Sequence, residues 1–205
     1  MASGRLGRMA PPGLLPPHPP EVRRRVRRMR WGLVPPLAEE VGGSAPLINA
    51  RSESVATKPS FARSLRHKRC LVPMDGWYEW LVESAPAEKG KAVKRPFYMS
   101  HADGSLLYMA GLWSVWRDRA QPDSAPLLSC TILTTEATDE FGWVHDRMPM
   151  VVRRNSWDDW LDPAFHDAEA AVSMLTAPLD LAHRKVSREV NKVGTDGPQL
   201  VEAVA

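Results

Sequence analysis

The chain has 205 residues, 43% of them hydrophobic and 25% charged, with a formal net charge of +3 and two cysteines. That length can bury the core of one domain, and no apolar run approaches the roughly 18 to 20 residues that a membrane helix needs. A first segment rich in Pro and Arg, without the apolar stretch of an export signal, leads us to expect a cytoplasmic protein, with Cys70 and Cys130 as free thiols rather than a disulfide.

The charge is unevenly spread. Residues 1–31 hold eight Arg and one acidic residue, a net of +7, which leaves 19 basic and 23 acidic residues, a net of −4, for the remainder. The pI near 9.0 therefore reflects a basic tail and not a nucleic-acid patch on the body. Any claim of DNA binding must rest on particular Arg and Trp side chains.

Residues 1–28 read as a poorly ordered Pro/Arg-rich segment, and residues 29–205 as a single domain. From Met29 the chain turns to short apolar runs bounded by Gly, Pro and Asp, which predict strands at 30–34, 70–72, 76–82, 96–100, 106–116, 127–135 and 149–152. Helices are predicted at 60–68 with Ser60 as cap, at 155–161 starting from Asn155, and at 166–175. The stretch 83–95 predicts a polar hairpin loop, and Pro73-Met74-Asp75-Gly76 a turn. Strands that outnumber helices, joined by loops too short for βαβ crossovers, predict an α+β fold: a mainly antiparallel, twisted, barrel-like sheet with a few short peripheral helices.

Three separated segments carry polar groups that a packed core would avoid. In Gly76-Trp77-Tyr78-Glu79-Trp80, strand alternation puts Trp77 and Glu79 on one face and Tyr78 and Trp80 on the other. A carboxylate beside aromatic surface is placed to hold a raised pKa and move protons; the plainer alternative is a carboxylate facing water or an Arg. His145, in His145-Asp146-Arg147-Met148-Pro149, is the near-neutral titrating group, with a structural histidine as the alternative. Asn49 and Arg51 share one side of their segment, an amide and a guanidinium suited to a phosphate oxygen or an oxyanion. Trp31, beside Arg30, offers a ring on which an unpaired base can stack, and Trp80 and Trp113 are further stacking candidates. Neither His67 with Cys70 nor Cys130 has a second ligand pair at zinc-like spacing, so no metal site and no cofactor are expected. A cysteine nucleophile at Cys70 paired with His145 and Asn49 is the rival enzymatic reading; a buried, inert thiol is the simpler one.

These segments, with Met29-Arg30-Trp31-Gly32-Leu33-Val34-Pro35, Leu47-Ile48-Asn49-Ala50-Arg51-Ser52-Glu53, Arg69-Cys70-Leu71-Val72-Pro73, Ala110-Gly111-Leu112-Trp113 and Thr131-Ile132-Leu133-Thr134-Thr135, resemble the SOS response-associated peptidase family of abasic-site processing proteins over roughly four fifths of the chain. The resemblance implies that Asn49, Glu79 and His145 are catalytic, and that Trp31, Arg51, Trp80, Thr134 and Arg147 contact single-stranded DNA containing an abasic site. It further implies peptidase and lyase-type chemistry, and crosslinking by an N-terminal Cys whose amine and thiol condense with the sugar aldehyde. The family begins Met-Cys-Gly-Arg; this sequence begins Met1-Ala2-Ser3-Gly4-Arg5, with no cysteine before residue 70. As written, stable crosslinking is expected to be lost, and the abrupt loss of patterning before Met29 points to a misplaced start rather than a true variant. A monomer is expected. The alternative is a noncatalytic module that shields single-stranded DNA.

Overall fold

The computed structural model describes residues 24–43, 45–83, 93–138 and 140–204. The expectation for residues 1–23, and the tip of the predicted hairpin loop at 84–92, lie outside the described residues; residues 24–28 are exposed and without regular structure.

Eleven strands are present among the described residues: β1 Arg30–Trp31, β2 Asn49–Arg51, β3 Arg69–Met74, β4 Gly76–Glu83, β5 Val93–His101, β6 Leu107–Trp116, β7 Leu127–Glu136, β8 Arg147–Pro149, β9 Val151–Val152, β10 Leu175–Thr176 and β11 Leu181–Lys185. Three short helices, α1 Pro59–His67, α2 Trp157–Leu161 and α3 Ala168–Ser173, accompany them. The architecture is α+β, as predicted. The larger sheet runs β1-β7-β6-β9-β10, with β2 and β8 also on β7 and β3 on β6; a smaller sheet runs β11-β5-β4. The larger sheet does not close on itself, and it is mixed, because β1 and β2 lie parallel to β7.

The long strands form where alternation was plain, with ends adjusted: β3 extends through Pro73 and Met74, so the predicted turn narrows to Asp75. The first predicted strand is regular only at Arg30–Trp31. The helix α1 starts at Pro59, whose missing N–H costs nothing in the first turn, and no side chain caps it, so Ser60 is not the cap. By contrast α3 is capped by Asp167, whose carboxylate accepts from the backbone N–H groups of Glu169 and Ala170 at 3.0 Å each.

The two faces of the large sheet bury different partners. On one, Ala50, Leu112 and Leu133 pack against Phe61, Leu65 and the fully buried Trp160 of the helices. On the other, Leu107, Met109 and Ile132 pack against Trp77 and Leu181 of the small sheet. Gly111 sits mid-strand because β3 presses close: a Cβ there would come within 2.8 Å of Cys70 Sγ and 2.9 Å of Val72 Cγ2. Near the other end β6 and β7 part, and β8 and β9 enter between them, Thr134 facing Pro149 and Met109 facing Val151. Met150 bridges the gap, donating its N–H to Leu133 and accepting from the Ala110 N–H. This split in the sheet brings Arg147 and its neighbours over the small sheet.

Candidate active site

Glu79 and Trp77 lie on the face of β4 that turns toward the large sheet, since Trp77 packs on the Met109 and Ile132 cluster and Glu79 follows at the next same-side position. The small sheet and residues 137–138 and 140–148 border an open pocket lined by Trp77, Glu79, Met99, Ala137, Phe141, Val144, His145, Arg147 and Met148. Its enclosed volume is about 10 Å³, room for one water, and the rest opens to solvent. Glu79 and His145, predicted from separate segments, therefore share one cavity.

Burial pushes the Glu79 carboxyl above its ordinary value of 4.5; the adjacent His145 and the Trp77 indole pull it down, and Asp146 adds to the rise. The His145 ring is held from behind. Its Nδ1 accepts the backbone N–H of Arg147 at 3.0 Å and lies 3.2 Å from Asp146 Oδ1. The same nitrogen lies 3.3 Å from the Arg147 carbonyl oxygen, so its role as donor or acceptor follows the tautomer.

Arg147 reaches the pocket with its stem but spends its terminal nitrogens elsewhere. Both donate to Glu53 at 3.0 Å, and Nη2 also donates to the backbone oxygen of Thr134 at 2.8 Å and to its hydroxyl at 3.3 Å. The guanidinium holds the Glu53 carboxyl below its ordinary value. Arg147 Nε is buried without a partner among the described residues.

The other predicted residues form a line beside this pocket. Asn49 is in register with Ile132, Arg51 with Thr134 and Trp31 with Cys130, so all three follow the same face of β7, the face that meets Trp77. Thr134 is buried, whereas the side chains of Asn49 and Arg51 are exposed and make no hydrogen bond or ion pair among the described residues. Asn49 sits next to the Ile132 cluster yet is not a wall of the pocket. Trp31 is 57% exposed, its indole N–H donating to Ile48 O at 2.9 Å. Trp80 departs from the group: it lies on the opposite face of β4 and donates to Asn191 Oδ1 at 2.8 Å. Cys70 is also apart from the pocket, and burial pushes its thiol up to about 12, which disfavours the thiolate that the rival reading requires.

Sequence reasoning passed over Trp77 and Glu53 as site residues. Trp77 was legible from its parity with Glu79; Glu53 had no signal beyond its place two residues after Arg51. Among the described residues no three His, Cys, Asp or Glu side chains gather as a metal ion would need.

Comparison with known proteins finds relatives over most of the chain. The chain is 33% identical over 181 residues to the abasic site processing protein YoqW of Bacillus subtilis (strain 168), covering 87% of this chain and 77% of that protein. It is 30% identical over 177 residues to the abasic site processing protein YedK of Escherichia coli (strain K12), covering 85% and 73% respectively. A crystal structure of a Bacteroides thetaiotaomicron protein superposes with a TM-score of 0.71 at 25% identity, over 86% of this chain and 76% of that one. Residues 11–193 match the sequence model of the SOS response associated peptidase (SRAP) family, and the chain belongs to that family.

Proposed function

We infer that this chain processes abasic sites in single-stranded DNA as part of a DNA damage response, with residues 29–205 acting as one monomeric domain. The observation that carries the reading is the Glu79 carboxyl, half buried and sharing one open pocket with His145. An abasic site exposes a ring-opened sugar whose aldehyde is attacked by an amine. That condensation needs a proton delivered to the departing oxygen and another taken from the nitrogen. A carboxyl raised toward neutrality serves as the acid and its conjugate base as the acceptor, and His145 exchanges protons with the sugar hydroxyls. The same pair supports hydrolytic and lyase-type steps on the adduct.

The strand would run along the line of Trp31, Asn49 and Arg51, with the lesion directed into the pocket. Arg51 carries the unpaired charge for a phosphate, and Asn49 offers its amide at the entrance. Arg147, already committed to Glu53 and Thr134, serves as a wall of the pocket more than as a clamp. Neither Cys70 nor Cys130 lines the cavity, so neither supplies a thiol there.

The test compares abasic with intact single-stranded oligonucleotides, using the wild type and Glu79→Gln, on denaturing gels with and without borohydride. Preference for the abasic strand, with adduct or cleavage lost in Glu79→Gln, is expected. Equal binding of both strands with a steep salt dependence, and no adduct under either condition, would instead establish a shielding module.

A further inference from the structure

Trp77 is a second polar group in the pocket that the reaction does not account for. Its indole Nε1 is fully buried and has no hydrogen-bond partner of normal geometry among the described residues. A buried donor left unpaired costs on the order of 1–3 kcal/mol, so its persistence calls for an acceptor met during function. The acceptor at hand is Glu79, two residues along the same face of β4 and a wall of the same cavity. The indole lies close enough to favour the charged carboxylate but is not seated as a full hydrogen bond. Such contacts are often long in the ligand-free state and tighten when the site is occupied.

We propose that Trp77 is the positioning residue of Glu79: its indole N–H closes onto the ionised carboxylate, aims it at His145, and releases it when the carboxylate takes up a proton. The proposal deepens the reading of this pocket as an abasic-site centre. Trp77 itself is braced, packed against Met109 and Ile132 on one side and Met99 on the other, so the N–H is delivered from a fixed ring.

The groups facing Glu79 come from each neighbouring element. From the 145–147 segment they are His145, Asp146 and Arg147. In β5 its register partner is the apolar Phe97, and Arg95 at the next same-side position is tied to Glu83 at 2.6 Å. From β11, His183 and Lys185 share the face, in register with Met99 and Phe97. Trp77 is the neutral donor in this set, so its removal alters the proton affinity of Glu79 without adding or subtracting a charge.

The experiment is a carboxyl ¹³C titration of Glu79 by NMR, without DNA, in the wild type and in Trp77→Phe, which keeps the ring and deletes the N–H. The midpoint is expected to shift upward in Trp77→Phe. In the wild type, the indole proton of Trp77 should titrate with the Glu79 midpoint, a readout that needs no variant. A Trp77 indole signal flat across that midpoint, or a Glu79 midpoint unmoved or lowered by Trp77→Phe, overturns the proposal. The pH profile of reaction with an abasic oligonucleotide should move by the same interval. If the titrations couple and the DNA reaction does not follow, the positioning stands and the abasic-site reading falls.

Discussion

Arg147 and Glu53 meet through two parallel N–H···O contacts of 3.0 Å, across 94 residues of sequence. This forked pair ties the β2 edge of the large sheet to β8, the strand that enters where β6 and β7 part. The Arg147 side chain is 16% exposed and that of Glu53 49% exposed, so the pair is partly screened.

Glu53→Gln is expected to lower stability by roughly 0.5–1 kcal/mol at pH 7, the range of a half-exposed ion pair. The folded carboxyl titrates below its ordinary value of 4.5 because Arg147 favours its charge. A depressed carboxylate contributes stability that is fully present above 4.5 and lost as pH falls through the lower folded value. Thermal melts of the two proteins at neutral pH and well below pH 4.5 should therefore converge under acid.

Glu79→Gln has the opposite sign. Burial raises the folded carboxyl above 4.5, so the folded state binds the proton more tightly than the unfolded chain. Stability on this account declines as pH rises from 4.5 through the raised value, and the charged carboxylate is a cost above it. Replacing it with a neutral amide should raise the melting temperature at pH 7–8 while abolishing reaction with abasic DNA. The gain should vanish in acid, which pH-resolved melts of both proteins would measure.

How much of this was legible follows from the length scale of each signal. The alternation in β4 is local, so Trp77 and Glu79 could be assigned to one face from the sequence alone. Which face looks inward is not local: it depends on the C-terminal segment behind the other face, where Asn191 takes the Trp80 indole. Trp80 therefore read as a stacking residue and is placed behind the sheet. The strand β2 is three residues long and pairs in parallel with β7, so no hairpin signal announced it. The strand β11, Leu181-Ala182-His183-Arg184-Lys185, was missed because its polar side chains carry no clear apolar stripe. The pairing of Arg147 with Glu53 has no local signature at all.

Cys70 and Cys130 should be inert in the folded protein. With its thiol pushed up to about 12, Cys70 holds a thiolate fraction on the order of one in ten thousand at pH 8. Burial raises Cys130 as well. Iodoacetamide should leave both unlabelled under native conditions and label both in denaturant, as read by intact mass. Cys70→Ala should retain reaction with abasic oligonucleotides; loss of that reaction in a folded Cys70→Ala protein would revive a thiol mechanism.

The largest single loss of stability is expected at Arg69, which is 7% exposed and, among the described residues, hydrogen-bonds only to backbone oxygens. Its Nε donates to Trp160 O at 2.6 Å and Nη2 to Asp162 O at 2.7 Å, while Nη1 serves Leu65 O at 2.8 Å and Arg66 O at 3.1 Å. Those carbonyls belong to the C-terminal turns of α1 and α2, where unpaired oxygens and the negative ends of both helix dipoles would otherwise be buried together. The guanidinium also lies 5.6 Å from the Trp160 ring and 5.5 Å from the Phe165 ring, within cation–π range. Burial lowers its pKa, yet an arginine remains charged at any working pH. Arg69→Met keeps the stem's packing and removes a donor from four carbonyls, of which Asp162 O retains the Phe165 N–H, and should cost about 3 kcal/mol. Arg69→Lys keeps the charge but offers a single nitrogen where a fork spans two helices, so it should recover only part of the loss. Urea unfolding would register both as lower midpoints at an unchanged slope. A midpoint for Arg69→Met equal to the wild type would show that water or a local rearrangement satisfies those helix ends, and that the guanidinium does not join the two helices to β3.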